Sequence, residues 1–152
     1  MGVNFRLAKL TIQESNRYTE LIQFFIENEL EFTEDQKQIP DTVVKYWEAL
    51  DGEKLVGGCV LGMREGAYVL EGIATDAGYR KKRMGERLLG KALTHLKTSG
   101  ARKLYLCARA PGFFKTQGFL TIDRADAPKF DGCENCDQFG VKCYPEVMVK
   151  NL

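Results

Sequence analysis

The chain has 152 residues, 44% of them hydrophobic and 28% charged, with a net charge of +1. That balance describes a folded domain with its own core and excludes a disordered chain. No apolar run approaches the roughly 18 residues of a membrane span, and the near-neutral total excludes bulk nucleic-acid binding through a globally basic surface. One domain over 1–152 is expected, with small molecules rather than nucleic acid or membrane as partners. The N-terminus lacks a signal-peptide pattern, so five cysteines point to a reducing cytoplasm, with thiols or a metal site rather than disulfides.

Alternation over Phe5–Leu10 predicts a first strand. Ser15 is placed to cap a helix running to about Leu30, with Tyr18, Leu21, Ile22, Phe25 and Ile26 at helical spacing. An acidic connection follows, with Glu27, Glu29, Glu31, Glu34 and Asp35. A strand near Val44–Leu50 leads into Asp51-Gly52, a hairpin signal, and then into a strand over Lys54–Met63. Gly57-Gly58 within that strand predicts a bulge or a close backbone approach. Glu65-Gly66 turns into a strand over Ala67–Thr75.

Met84–Thr98 is helical, with Leu88, Leu89, Ala92, Leu93 and Leu96 on one stripe and Ser99-Gly100 as its stop. Lys103–Ala108 reads as a buried strand, Pro111–Thr116 as a short helix, and Gly118–Asp123 and Glu146–Val149 as the last strands. A cysteine-bearing insert, 125–144, lies between these two. The order predicts an α/β mixed sheet with helices on both faces.

The segment Tyr79-Arg80-Lys81-Lys82-Arg83-Met84-Gly85-Glu86 joins a strand to a helix. Free backbone N–H groups at a helix N-terminus and the helix dipole favour an anion there. Arg80, Lys81, Lys82 and Arg83 add charge-assisted donors. A pyrophosphate-bearing ligand is therefore expected, against the alternative of a solvated basic turn.

The order of elements, the Tyr79-Arg80-x-x-x-x-Gly85 turn and the run Gly112-Phe113-Phe114-Lys115-Thr116-Gln117-Gly118-Phe119 together resemble the GCN5-related N-acetyltransferases (GNAT), over about Phe5 to Phe119. The resemblance implies a mixed, mostly antiparallel, splayed sheet and acetyl-CoA as cosubstrate. In its Arg/Gln-x-x-Gly-x-Gly/Ala turn, Arg80 and Gly85 match the ends, and Arg83 stands where the inner glycine is usual. Glycine there lets the backbone approach phosphate closely, so Arg83 needs helical dihedrals or a displaced phosphate. Arg80 to Glu86 are thus the expected pyrophosphate site, and Ile73, Ala74 and Thr75 the backbone that pairs with the pantetheine arm and polarises the thioester carbonyl. The tail, with Cys133, Cys136, Phe139, Cys143 and Pro145–Met148, is similar to short amino-acid N-acetyltransferases of the N-acetylglutamate synthase type. Those tend to carry Phe where other members have a catalytic Tyr, and Phe114 holds that position here.

Direct attack by an amine needs a base, an oxyanion donor and a proton source for the thiolate, but no enzyme nucleophile. Glu71 is the candidate base, because a carboxylate inside the apolar strand Val69–Ile73 is unusual. Its spacing from Ile73 predicts that both side chains share a face. The alternative is that Glu71 faces solvent or pairs with a neighbouring arginine. With Phe114 at the Tyr position, protonation falls to water, Tyr105, Cys107 or Tyr144, although Cys107 also reads as a core thiol. His95 reads as a half-exposed structural residue.

An amino-acid acceptor requires a cation for its carboxylate, and Arg109 is the candidate, with Lys115 behind it and surface charge as the alternative for both. The acidic segment instead favours a cationic amine. The expected reaction is acetyl transfer to a primary amine, foremost that of a free amino acid. A cationic small amine, a protein amino group, or a non-catalytic acyl-CoA-binding or thiol/metal-sensing domain are the alternatives. A homodimer is possible. Cys133, Cys136 and Cys143 have a zinc-knuckle first gap but only three ligands, with Cys59, Cys107, Asp131, Asp137 or water as a fourth. Zinc is thus possible, and reduced thiols or a Cys133–Cys136 disulfide are the other readings. The insert precedes the last strand and is placed to close over the acceptor pocket.

Overall fold

The computed structural model describes residues 10–28, 30, 32–130 and 146–152. It is a mixed α/β fold whose seven strands, β1 (Leu10–Glu14), β2 (Val43–Asp51), β3 (Lys54–Arg64), β4 (Ala67–Thr75), β5 (Lys103–Ala108), β6 (Leu120–Thr121) and β7 (Glu146–Asn151), lie in the order β1-β2-β3-β4-β5-β7-β6. Every pairing is antiparallel except that of β4 with β5. The expected strand at Phe5–Leu10 lies, except for Leu10, outside the described residues; β1 is described over Leu10–Glu14. The strand expected over Gly118–Asp123 is shorter, at Leu120–Thr121.

Helix α1 (Tyr18–Glu27) buries Tyr18, Leu21, Ile22, Phe24 and Phe25 on one face of the sheet. Fully burying side chains of this size stabilises by about 1.5–3 kcal/mol each. The helix ends at Glu27, three residues before the predicted stop near Leu30, and the side chain of its C-cap, Asn28, donates to the Phe24 carbonyl at 2.9 Å. Helix α2 (Met84–Thr98) covers the other face with Met84, Leu88, Leu89, Ala92 and Leu96, and Leu93 is partly buried beside them. Gly100 follows its end with φ of 79°, the left-handed conformation glycine adopts without penalty. Helix α3 (Pro111–Thr116) follows β5. No helix among the described residues is long and apolar enough to cross a membrane.

Hairpin chemistry sets the β2–β3–β4 meander. Glu65 and Gly66 both have positive φ, 51° and 78°, as a two-residue turn matched to strand twist demands. Both readings of Gly57-Gly58 are realised. Ala49 faces Gly57 while Leu50 faces Leu55, so Val56 is an extra residue beside Gly57. At Gly58 a Cβ would lie 2.1 Å from Leu21 Cδ1 and 3.1 Å from Leu21 Cγ, so the glycine lets α1 sit directly on the sheet.

Ser15 does not cap α1. Arg17 occupies the N-cap position without a side-chain bond, while Ser15 Oγ accepts from the Arg17 N–H at 3.1 Å. Its hydroxyl donates to buried Glu48 at 2.8 Å, where Gln13 Nε2 (2.7 Å) and Arg17 Nε and Nη2 (3.1 and 3.0 Å) also converge. Ser15 was drawn away from the helix because a buried carboxylate needs several donors.

Burial by itself would raise the Glu48 pKa, but the bonds from Gln13, Ser15 and Arg17, with the Arg17 charge, outweigh it and hold the carboxyl below its ordinary 4.5. The folded chain therefore binds this proton less readily than the unfolded chain. The stability Glu48 contributes is complete above 4.5 and is lost as pH falls through the lowered value. Glu48→Gln is expected to lower stability at neutral pH by about 1–3 kcal/mol and to flatten the acid limb of stability against pH in urea titrations. Gly58→Ala is expected to cost about 1–3 kcal/mol by forcing Leu21 off its seat, read in the same titrations.

Candidate active site

The site begins where the sheet opens. β4 and β5 are joined by one parallel residue pair, Val69 with Tyr105, and among the described residues no further pair joins them. β4 runs on to Thr75 and β5 to Ala108, so the two strands part. The β5-facing backbone groups of 70–75 then have no ladder partner among the described residues, an arrangement that requires solvent or a ligand. A cavity of about 1440 Å³ fills the gap.

A bulge shapes this opening. Val60 faces Gly72, yet Leu61 faces Leu70, so Glu71 is an extra residue in β4. A bulge bends and twists its strand, and here it also breaks the alternation assumed from the sequence. Ile73 packs toward the α2-side core with Leu70. Glu71 lies against Gly62 on the α1 side, where a Cβ on Gly62 would meet its Oε1 at 2.7 Å. The expectation that Glu71 and Ile73 share a face is therefore corrected.

Glu71 pairs with Arg64 through two bonds, Arg64 Nε to Oε1 at 2.8 Å and Nη2 to Oε2 at 3.1 Å, and its side chain is 14% exposed. The pair lines the cavity. Each carboxylate oxygen can accept more than one bond, so the fork orients Glu71 without exhausting its capacity. The alternative stated for Glu71, a pair with a neighbouring arginine, is thus realised, although Arg64 was not singled out from the sequence. The Glu65-Gly66 turn, which folds β3 back on β4, was the signal that could have found it.

At another part of the cavity lies the start of α2. Asp76 caps the 3₁₀ turn Ala77–Lys82 by accepting from the Gly78 N–H at 3.0 Å. Arg83 then takes φ 57° and ψ 30°, left-handed, so of the two expectations for it the helical dihedrals are not realised. It thus follows the backbone path open to the family's glycine, at a cost of roughly 1–2 kcal/mol. Its side chain is exposed and pairs with Glu86 at 2.8 Å. Arg83, Gly85 and Glu86 line the cavity. The first N–H groups of α2 have no carbonyl one turn back. A Cβ on Gly85 would meet only Phe113, at 3.5 Å, an ordinary contact.

Ile73, Ala74, Thr75 and Arg109 also line the cavity, as do Cys107 and Phe114. Phe114 packs edge-on between Phe113 and Phe119, at 5.2 and 5.6 Å between ring centres. Arg124 Nη2 approaches Cys107 Sγ at 3.8 Å. Tyr105 and Lys115 are not among the lining residues, and Lys115 pairs with Glu146 at 3.7 Å. Of the acidic segment only Asp35 is among the lining residues; Glu34 pairs with Lys37, while Glu29 and Glu31 lie outside the described residues.

His95 is half-buried against Trp47. Cys59 is wholly buried in the α2-side core, where burial pushes its thiol up to about 12. Cys133, Cys136, Cys143 and Tyr144 lie outside the described residues, as does most of the insert. Of Arg80, Lys81 and Lys82, only the backbone of the turn is described.

A sheet parted between two parallel strands, with a helix N-terminus beside the opening, is the architecture of an acyl-coenzyme A-binding transferase. The Acetyltransferase (GNAT) family model matches residues 11–119, and the chain belongs to that family. It is therefore an acetyltransferase, with acetyl-CoA as cosubstrate. No curated protein matches it by sequence. A GNAT acetyltransferase from Staphylococcus aureus Mu50 superposes with a TM-score of 0.72 at 24% identity, over 94% of this chain and 99% of that one. The ribosomal-protein-S18-alanine N-acetyltransferase of Escherichia coli gives 0.69 at 19% identity over 93% of each chain. The N-acetylglutamate synthase of Neisseria gonorrhoeae, complexed with coenzyme A and N-acetyl-glutamate, gives 0.66 at 18% identity over 94% of this chain and 35% of that one. At these identities the likeness is one of fold.

Gly85→Ala separates the fold from ligand binding. Alanine favours a helix over glycine by about 1 kcal/mol, and only Phe113 touches the added methyl, so the melting temperature is expected to hold or rise. Acetyl-CoA affinity, measured by calorimetry, is expected to fall at least about tenfold as the methyl meets the phosphate path. Unchanged affinity would remove this turn from the phosphate site.

Proposed function

We propose that the protein acetylates a primary amine by direct transfer, with a free amino acid as the leading acceptor. One observation carries this reading: a single cavity reaches the α2 N-terminus, the parted edge of β4 and the Glu71–Arg64 pair together. The residues fit acetyl-CoA. Arg83 gives the turn the backbone path of glycine, the N–H groups of α2 face an anion's position, and the unpaired edge of β4 suits an extended amide-bearing arm.

Acetyl-CoA supplies the acetyl group as a thioester. Glu71, directly or through a water, takes a proton from the acceptor ammonium so that its nitrogen has a lone pair for the C–N bond. Backbone N–H groups of Ile73 to Thr75 stabilise the charge that develops on the carbonyl oxygen. The second nitrogen proton ends on the departing sulfur, and the proton held by Glu71 passes to solvent. Arg109 on the cavity wall is the proposed partner of an acceptor carboxylate. The Glu71 and Asp35 carboxylates on the same wall favour a second reading, a cationic amine without a carboxylate.

Thiol release from acetyl-CoA, measured against free amino acids, polyamines and lysine peptides, decides among these. Turnover with an amino acid is expected. Glu71→Gln is expected to lower kcat/KM by about 100-fold or more with acetyl-CoA affinity retained, and Arg109→Ala to raise KM for amino acids alone. Turnover confined to polyamines would replace the amino acid by the cationic amine. Full activity in Glu71→Gln would remove Glu71 as the base.

A further inference from the structure

Among the polar groups of the cavity wall that the mechanism does not use is the hydroxyl of Tyr18. Tyr18 opens α1 and is 7% exposed. Its ring stands edge-on to Tyr46, with 5.2 Å between centres. Among the described residues no hydrogen bond reaches its hydroxyl, and no fully buried side-chain nitrogen or oxygen lacks a partner. The hydroxyl must therefore open onto free space rather than be sealed in the core. Tyr18 borders a shallow outer depression beside Arg17 and Lys37, but it also lines the large cavity that holds Glu71. Burial first, then the negative charge of Glu71 and the neighbouring Tyr46, push the phenol up to about 12. It is accordingly a neutral phenol throughout the physiological range, and it lies within the field of the Glu71 carboxylate.

Tyr18 is nine-tenths buried as a residue, yet its hydroxyl makes no hydrogen bond within the described residues and keeps access to free space. Phenylalanine would fill the same space without the unmet oxygen. The oxygen that phenylalanine would lack is therefore open to a ligand in the cavity. An ionised Glu71 carboxylate only accepts, and the phenol of Tyr18, which lines the same cavity, offers lone pairs beside its own proton. Two acceptors, one of them anionic, call for a cationic group with several N–H donors. A primary ammonium has three.

We propose that the Tyr18 hydroxyl oxygen and the Glu71 carboxylate together hold the acceptor's ammonium, with Tyr18 as an amine-binding residue. This rests on the reaction proposed above and names the group that orients the amine. It makes the ammonium, common to every acceptor, the feature that Tyr18 reads. The carboxylate of an amino acid is left to other groups.

Tyr18→Phe removes one oxygen and tests this. The variant and the parent are compared in the thiol-release panel, in acetyl-CoA calorimetry and in thermal melts. Expected are a rise in amine KM of about tenfold or more, equal for amino acids and for amines without a carboxylate, and an unchanged acetyl-CoA affinity. The melting temperature is expected to hold or rise. Unchanged amine KM would overturn the proposal, and so would a loss confined to carboxylate-bearing acceptors. A melting temperature lowered by several degrees would assign the hydroxyl to the fold and overturn it as well. A parent that releases no thiol with any amine would bring down the reaction and this inference together, whereas a parent that turns over beside an indistinguishable variant would bring down the inference alone.

Discussion

Strand pairing between β4 and β5 stops after Val69 and Tyr105, and the geometry of the site follows from that interruption. In a continuous sheet the backbone groups beyond these residues would be satisfied by one another, and the interior would be closed. Here each strand keeps its ladder on the far side, β4 with β3 and β5 with β7, so the sheet stays stable while its middle opens. The bulge at Glu71 belongs to the same device. An extra residue adds bend and twist to β4, carries a carboxylate toward the α1 face and leaves Ile73 on the α2 face. One departure from regular pairing thus supplies an unpaired strand edge and moves a charge to the other side of the sheet.

The electrostatics of the α1 side depend on that displacement. A carboxylate in an apolar strand must find donors or lose its charge. Glu71 finds them in Arg64, across the β3–β4 hairpin. The fork neutralises its charge without sealing it from the cavity. Tyr18, Asp35 and Glu71 then share a wall with Arg64 and Arg109. A wall with both signs suits a ligand with both signs, which is the physical basis for preferring an amino acid over a polyamine.

Most of the fold could be read from the sequence where one local rule governed. The α2 stripe, the Asp51-Gly52 and Glu65-Gly66 turns, the Pro111 helix and the β4 and β5 strands follow from periodicity and turn chemistry. Ser15 was misread because a capping rule looks a few residues ahead, whereas Glu48 lies 33 residues on and claimed the hydroxyl. Alternation fails for Glu71 and Ile73 because it holds only in an unbulged strand, and the one local signal of the bulge is Gly72 beside Glu71. Tyr18 was seen as a core position on an apolar stripe, as indeed it is. Its second property, a place on the cavity wall that Glu71 also lines, depends on what stands across the cavity and is invisible to periodicity.

Phe114 gains sense from the same arrangement. Its ring is held between Phe113 and Phe119, so the position where the resemblance led us to expect a proton donor is part of an aromatic wall. Direct transfer tolerates this substitution. A thiol with a pKa near 8.5 departs as a thiolate far more readily than an amine departs as an anion, so a dedicated acid at sulfur assists without being required. The harder proton lies on the acceptor, since an ammonium has no lone pair and cannot attack. In the proposed reaction the Glu71 carboxylate then serves the acceptor's proton, while Phe114 brings only hydrocarbon to the cavity wall.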